Sequence, residues 1–205
     1  MSIMGIVSVN TGQTALLGQT PRGTDVYSAI RKAPVVGGTP IYLGPEGLSG
    51  DEQTDTRVDR RSQKRIHGGP LKAVYVYPRD HYPRWVREMG VVLVPGDFGE
   101  NLTLDDVDEG EVMIGERWRW GDAILEVTGP RRPCYKLDLL RGEGTSRAMQ
   151  DNGRCGWYLS VIEPGIVPTI GEIRLLHRPT EGTSILDAFR EKIRRDSTIP
   201  GPPED

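Results

Sequence analysis

Apolar positions along the chain fall in short runs, most of them closed by Gly, Pro or Asp. Met4–Val9 alternates weakly and predicts a first strand; Thr39–Leu43, behind the Gly37-Gly38 pair, predicts a second. Leu71–Tyr77, rich in Val and Tyr, is the clearest early strand. Val91–Val94, Glu111–Ile114 and Ala123–Val127 predict strands between Gly and Asp turns, and Tyr158–Ile162 and Glu172–Leu176 complete the set around a Pro164-Gly165 turn. Trp118 and Trp120 share one face of any strand that holds both, because strand side chains alternate. Helical periodicity is scarce. Asp80–Met89 fits a short helix with Pro83 in its first turn, and Thr145–Gln150 fits one or two helical turns. Near the end, Ile185, Phe189 and Ile193 recur at four-residue spacing, and Leu186 widens the stripe. Ser184 is placed to cap this helix, with Asp187 at its third position. The stripe needs a surface to cover it, either the rest of the domain or a second copy of the chain.

Composition sharpens that pattern. Within 205 residues stand 26 Gly and 16 Pro, spread along most of the length, which argues against a helical bundle and for a β-barrel or sandwich. The formal net charge of -3 gives no sign of a partner as polyanionic as polymeric nucleic acid. No apolar run is long enough to span a membrane, and MSIMGIVSVN lacks the basic stretch of a signal peptide. Two cysteines, Cys134 and Cys155, make no disulfide framework; a cytoplasmic setting with both thiols reduced is the expectation. Residues 197–205, with three prolines and two acids, predict a disordered tail.

Cys134 follows a predicted strand in Gly129-Pro130-Arg131-Arg132-Pro133-Cys134-Tyr135-Lys136. Positive neighbours favour a thiolate, which is both nucleophile and metal ligand, and two prolines fix the local backbone. The same residue also fits a small buried hydrophobe in a strand-end loop. Cys155, between Gly153-Arg154 and Gly156-Trp157, reads as a packed turn cysteine, and Arg154 is the more interesting side chain. The run Asp59-Arg60-Arg61-Ser62-Gln63-Lys64-Arg65 leads to His67-Gly68-Gly69-Pro70, where a glycine pair can turn backbone N–H groups toward an anion beside Lys64 and His67. An ordinary turn has the same letters. Pro95–Thr103 is a second Gly-rich turn, and its Asn101 is either an anion or pterin contact or a residue bonding its own backbone.

Several chemistries lack their motifs. The three histidines show no HExxH spacing, and no CxxC, GxSxG, P-loop or GxGxxG is present.

Four segments, in order, resemble the MOSC domain of the standalone bacterial type. They are Ile30–Val35; Gly47–Asp55 leading on to His67–Pro70; Pro95–Leu102; and Ile114-Gly115-Glu116 through Arg131–Leu137. Gly153–Trp157 is similar as well, so the likeness spans roughly residues 4–177. The resemblance implies a mainly β fold, a MOSC-type barrel with short peripheral helices, here over residues 1–180, to which the chain's own periodicity adds one C-terminal helix over 181–196. It implies a molybdenum cofactor whose metal is ligated by Cys134, and the family also carries pyridoxal phosphate binding. Lys64, His67, Gly68, Gly69, Arg131, Arg132 and Arg154 would hold the cofactor's phosphate and pterin, with Glu100 and Asn101 facing pterin or substrate. The implied reaction reduces N-hydroxylated compounds, such as hydroxylamino-purines, to amines, with a separate electron-donor protein as partner and a homo-oligomer as a further expectation. A sulfur carrier holding a Cys134 persulfide is the alternative the same cysteine allows. Two features depart from the family: a single terminal helix stands where standalone members have a longer helical bundle, and the loop around Arg60–Arg65 carries extra basic residues.

Overall fold

The computed structural model describes residues 2–53, 68–90 and 92–195. The predicted tail, the basic run and its Lys64 and His67 lie outside the described residues. The strands are β1 (Ile3–Thr11), β2 (Ala15–Gln19), β3 (Asp25–Ser28), β4 (Ala33–Pro34), β5 (Ile41–Gly44), β6 (Gly47–Leu48), β7 (Val74–Pro78), β8 (Leu102–Leu104), β9 (Arg117–Trp120), β10 (Ala123–Pro130), β11 (Trp157–Glu163), β12 (Gly165–Val167) and β13 (Gly171–His177). The helices are α1 (Tyr82–Met89), α2 (Tyr135–Arg141), α3 (Thr145–Asn152) and α4 (Ile185–Arg195).

Seven strands close into a barrel in the order β13-β9-β10-β11-β7-β8-β1, with β1 pairing back to β13. Closure leaves these seven strands without an open edge, and the short β4 pairs with the far end of β1 at Asn10 and Thr11. Neighbours are antiparallel except β7 and β8, which run parallel. A small sheet of β12, β5 and β6 and a hairpin of β2 and β3 flank the barrel. The alternation in β9 works as its sequence predicts: Trp118 and Trp120 are fully buried while Arg117 and Arg119 face out. Trp118 meets Trp157 of β11 edge to face, with ring centroids 6.0 Å apart.

Local chemistry moved several expected boundaries. Pro70–Lys72 forms a 3-10 turn, so the strand expected from Leu71 starts at Val74. Val36–Gly38 is also a 3-10 turn, and the strand expected from Thr39 begins at Ile41. Two expected strands are absent. Residues 92–94 form no strand; Val92 and Val94 are exposed, and the Val94 N–H is taken by the Asp97 carboxylate at 2.7 Å. Glu111–Ile114 is a turn segment in which the Asp108 carboxylate caps the Gly110 and Glu111 N–H groups. Its one ladder contact is an isolated bridge from Met113 to Ser184.

That bridge seats the terminal helix. The Ser184 hydroxyl accepts the Asp187 N–H at 3.1 Å, the cap that the sequence predicts, and donates to the Asp187 carboxylate at 2.9 Å. Ile185 and Phe189 are buried in the barrel core and Ile193 packs against it, so the apolar stripe is covered by the chain's own barrel.

Candidate active site

β10 ends at Pro130, yet the Arg131 N–H still donates to the Gly156 carbonyl at 3.1 Å, extending the strand's register by one step. Cys134 then takes an extended conformation directly before α2, and its carbonyl accepts the Leu137 N–H at 2.9 Å. The thiol is thus fixed between a barrel strand and a helix start. Cys134 is 6% exposed and lines a cleft. Neither cysteine forms a disulfide.

The cleft is strongly cationic. Lys32, Lys72, Arg131, Arg132 and Lys136 line it, against two carboxylates, Asp51 and Glu52. Low-dielectric walls concentrate such a field and favour an anionic ligand. Tyr75 and Tyr158 form an aromatic wall, with ring centroids 5.5 Å apart. The Arg131 guanidinium lies 5.3 Å from the Tyr75 ring centroid, and the Lys72 ammonium 5.9 Å from that of Tyr158. Burial pushes both phenols above the ordinary tyrosine range, opposed by the charge of Arg131, so both rings stay neutral.

The facing wall is cross-linked. Asp51 accepts hydrogen bonds from the Gly12 N–H at 2.8 Å, the Asn101 side-chain N–H at 2.8 Å and the buried Lys32 ammonium. Asn101 also accepts the Tyr75 N–H at 3.1 Å, joining this wall to the aromatic one.

The structure therefore brings Cys134, Arg131, Arg132, Asn101 and Gly68 to one cleft. Three expected contacts lie elsewhere. Gly69 has a positive φ of 85°, but its N–H already donates to the Gln53 side chain at 2.6 Å and is not offered to an anion. Glu100 is fully buried beside the cleft. It accepts from the Gly96 N–H at 2.7 Å, the Phe98 N–H at 3.1 Å, the Thr103 hydroxyl at 3.0 Å and the Tyr82 hydroxyl, so it closes its own turn. Burial raises its carboxyl above the usual range despite these donors. Arg154 points to α1: one terminal nitrogen reaches both Glu88 oxygens at 2.6 and 2.7 Å, and the guanidinium sits 4.5 Å from the Trp85 ring centroid. Cys155 is fully buried, and burial together with the nearby Glu109 charge pushes its thiol up, which suits a packing role.

Sequence reasoning missed Lys32, Asp51, Lys72, Tyr75 and Tyr158. Lys32 and Asp51 stand inside the family-like segments, which was the available signal; the two tyrosines read as strand core.

The donor set fits a molybdenum cofactor. Among the described residues no cluster of three His, Cys, Asp or Glu could hold a bare metal ion. A metal bound by the single Cys134 sulfur must bring its remaining ligands with it, as a pterin dithiolene does. The surrounding cations suit the group's phosphate. Among the described residues no helix is long and apolar enough to cross a membrane.

The sequence pattern of the MOSC domain matches residues 63–173. Protein YiiM of Escherichia coli is 39% identical over 160 residues, covering 76% of this chain and 67% of its own. YflK of Bacillus subtilis is 35% identical over 90% of this chain and 79% of its own. A protein named as a reductase in Gibberella moniliformis is 32% identical over 82% of this chain, which spans only 29% of that longer protein. The crystal structure of YiiM from Geobacillus stearothermophilus superposes with a TM-score of 0.70 at 28% identity, covering 95% of this chain and 85% of its own. With its barrel and its cysteine cleft in place, the chain belongs to the MOSC domain family.

Proposed function

We propose that this protein binds a molybdenum cofactor with Cys134 as the metal ligand and reduces N-hydroxylated compounds, such as hydroxylamino-purines, to amines. The observation that carries the reading is the Cys134 thiol lining a cleft with five cations and two tyrosine rings. The similarity to a fungal protein named as a reductase supports an oxidoreductase. The overall reaction takes R–NHOH, two electrons and two protons to R–NH2 and water. When bound, the cofactor supplies the two-electron reduction of the N–O bond. Arg131, Arg132, Lys72 and Lys136 hold the anionic end of the group, and the neutral rings of Tyr75 and Tyr158 keep that side of the cleft apolar. Two cysteines cannot hold an iron–sulfur cluster of the usual four-cysteine kind, so the proposed reduction draws its electrons from outside the residues of this sequence, with a separate donor protein as the proposed source.

The test is elemental. Protein made in a host that synthesises molybdenum cofactor should carry molybdenum and reduce an N-hydroxylated purine with a reduced viologen dye. Cys134→Ser should lose both properties, and Cys155→Ser should keep them. Equal metal and activity in wild type and Cys134→Ser rejects the ligand assignment; sulfane sulfur on Cys134 without molybdenum replaces the reading with a sulfur carrier.

A further inference from the structure

We propose that the hollow beside the Cys134 cleft, built on the β5–β6 turn, is the subsite for the substrate's heteroaromatic base, with Tyr42 as its stacking ring. This rests on the reductase reading for the identity of the substrate, and on geometry of its own for the site. The hollow is an open surface concavity of about 600 Å³, wide enough for a planar base to lie against its floor. Tyr42, Glu46 and Ser49 line it, and Asp51 and Gln53 line both it and the Cys134 cleft. A ligand seated there therefore abuts the cleft that holds the thiol.

The strand pattern explains why an aromatic ring is available. In β5 the Leu43 side chain is fully buried, so its neighbour Tyr42 takes the opposite face and is 47% exposed. A Cβ at Gly44 would stand 3.3 Å from the Tyr42 ring, so glycine there leaves the ring room to lie along the turn. The turn itself is rigidly held. Gly47 has a φ of 133°, and a Cβ there would come within 2.8 Å of the Ala73 carbonyl. The Gln53 side chain donates to the Glu46 carbonyl and accepts the Gly69 N–H, tying the turn to the glycine pair. Neither the Tyr42 phenol nor the Ser49 hydroxyl has a hydrogen-bond partner among the described residues, so both can meet the polar edge of a ligand.

Charge divides the two spaces. The Cys134 cleft holds five cations, whereas the described lining of the hollow has no Lys or Arg, and the Asp51 that it shares with the cleft is paired with Lys32. An anionic cofactor is drawn to the first. The second suits a neutral, planar, hydrogen-bonding heterocycle. A purine bearing an N-hydroxyl group has that chemistry, and every such base has a face to stack.

Two measurements test the subsite. In steady-state assays with the cofactor-loaded protein, Tyr42→Ala should raise KM for an N-hydroxylated purine about 5- to 150-fold, the range for loss of one base–aromatic stack. It should leave KM for a small aliphatic N-hydroxy compound and the molybdenum content unchanged, and Tyr42→Phe and Tyr42→Trp should restore purine KM. Independently of activity, 2-aminopurine fluorescence should be quenched on binding to the wild type, with affinity lost in Tyr42→Ala and kept in Tyr42→Phe. Unchanged purine KM and unchanged 2-aminopurine affinity in Tyr42→Ala overturn the subsite while the reductase reading stands. Tyr42-dependent 2-aminopurine binding in a wild type without molybdenum or reductase activity keeps the subsite and overturns the reductase reading. Absence of 2-aminopurine binding to the wild type overturns the subsite.

Discussion

Asn101 donates a 2.8 Å hydrogen bond to Asp51, 50 residues earlier in the chain, and with its other side-chain atom accepts the Tyr75 N–H at 3.1 Å. One amide thus braces both walls of the Cys134 cleft from a position that is only 5% exposed. Asn101→Ala leaves the buried Tyr75 N–H without that acceptor. A buried unpaired donor costs about 1–3 kcal/mol, and for a chain of this size each kcal/mol lowers Tm by about 2–4 °C. Thermal unfolding of the cofactor-free protein reads the loss. A Tm equal to wild type would show that water replaces the amide at no cost.

The two cysteines should separate by access. Cys134 lines the cleft, while Cys155 is fully buried and its thiol is pushed up first by burial and then by the Glu109 charge. A thiol that is both inaccessible and protonated is inert. Alkylation of the native, cofactor-free protein should therefore label Cys134 and spare Cys155 until denaturant is added. Peptide mapping of the labelled protein checks this, and labelling of both sites at equal rates in the native state counts against the packing assignment of Cys155.

Glu100 should leave a signature in stability against pH. Burial raises its folded-state carboxyl, although Tyr82, Gly96 and Thr103 donate to it. Above the unfolded carboxyl's pKa and below the raised one, the folded state holds a proton that the unfolded state has released. Stability therefore falls as pH rises through that window, and the penalty is constant above it. Glu100→Gln removes the titrating group, so the difference in Tm between wild type and variant should change with pH through the window and become level above it. A constant difference from acid to neutral pH contradicts a raised carboxyl at this position.

Phe189 is 1% exposed and anchors α4 on the barrel core. Replacing a buried Phe by Ala typically costs about 3–5 kcal/mol, so Phe189→Ala should lower the urea midpoint strongly while Ile193→Ala, at the half-buried rim, costs less. Equal small effects would mean that the helix is dispensable to the domain.

What was legible in the chain follows from the range of the forces involved. The Ser184–Asp187 cap, the shared face of Trp118 and Trp120 and the helix behind Pro83 are local patterns, and each appears where its letters place it. Val91–Val94 and Glu111–Ile114 have strand-forming letters, but the Asp97 carboxylate takes the Val94 N–H and the Asp108 carboxylate takes the Glu111 N–H, a competition that apolar patterning does not register. α2 escaped notice because Tyr135–Arg141 makes a helix of seven residues, too short for a periodic stripe. The site divides the same way. Cys134 with Arg131 and Arg132 is contiguous and could be read; Lys32, Asp51 and Lys72 join it only through barrel closure. Glu100 and Arg154 sit in family-like segments, yet Glu100 is bonded within its own turn and Arg154 reaches Glu88 through one terminal nitrogen, and adjacency in sequence gave no sign of which way they face.

That difference in direction gives the sharpest test of the anion site. Arg132 lines the cationic cleft, whereas Arg154 is engaged by Glu88 and Trp85 on α1. A bound phosphate carries close to two negative charges and needs several fixed donors once it leaves water. Arg132→Ala should therefore lower molybdenum per protein more than it lowers the Tm of the empty form. Arg154→Ala should do the reverse: its guanidinium is nine-tenths buried, and its removal strands the Glu88 carboxylate and uncovers the Trp85 ring. Glu88 is half exposed, so water screens it and the ion pair itself is worth little; most of the loss comes from packing over the indole. Arg132→Lys separates charge from shape. Recovery of occupancy means that charge dominates, and failure means that the planar fork makes paired bonds to the phosphate. Metal content and thermal stability measured side by side for the three variants decide the matter. Full occupancy in Arg132→Ala together with depleted occupancy in Arg154→Ala would invert the site map.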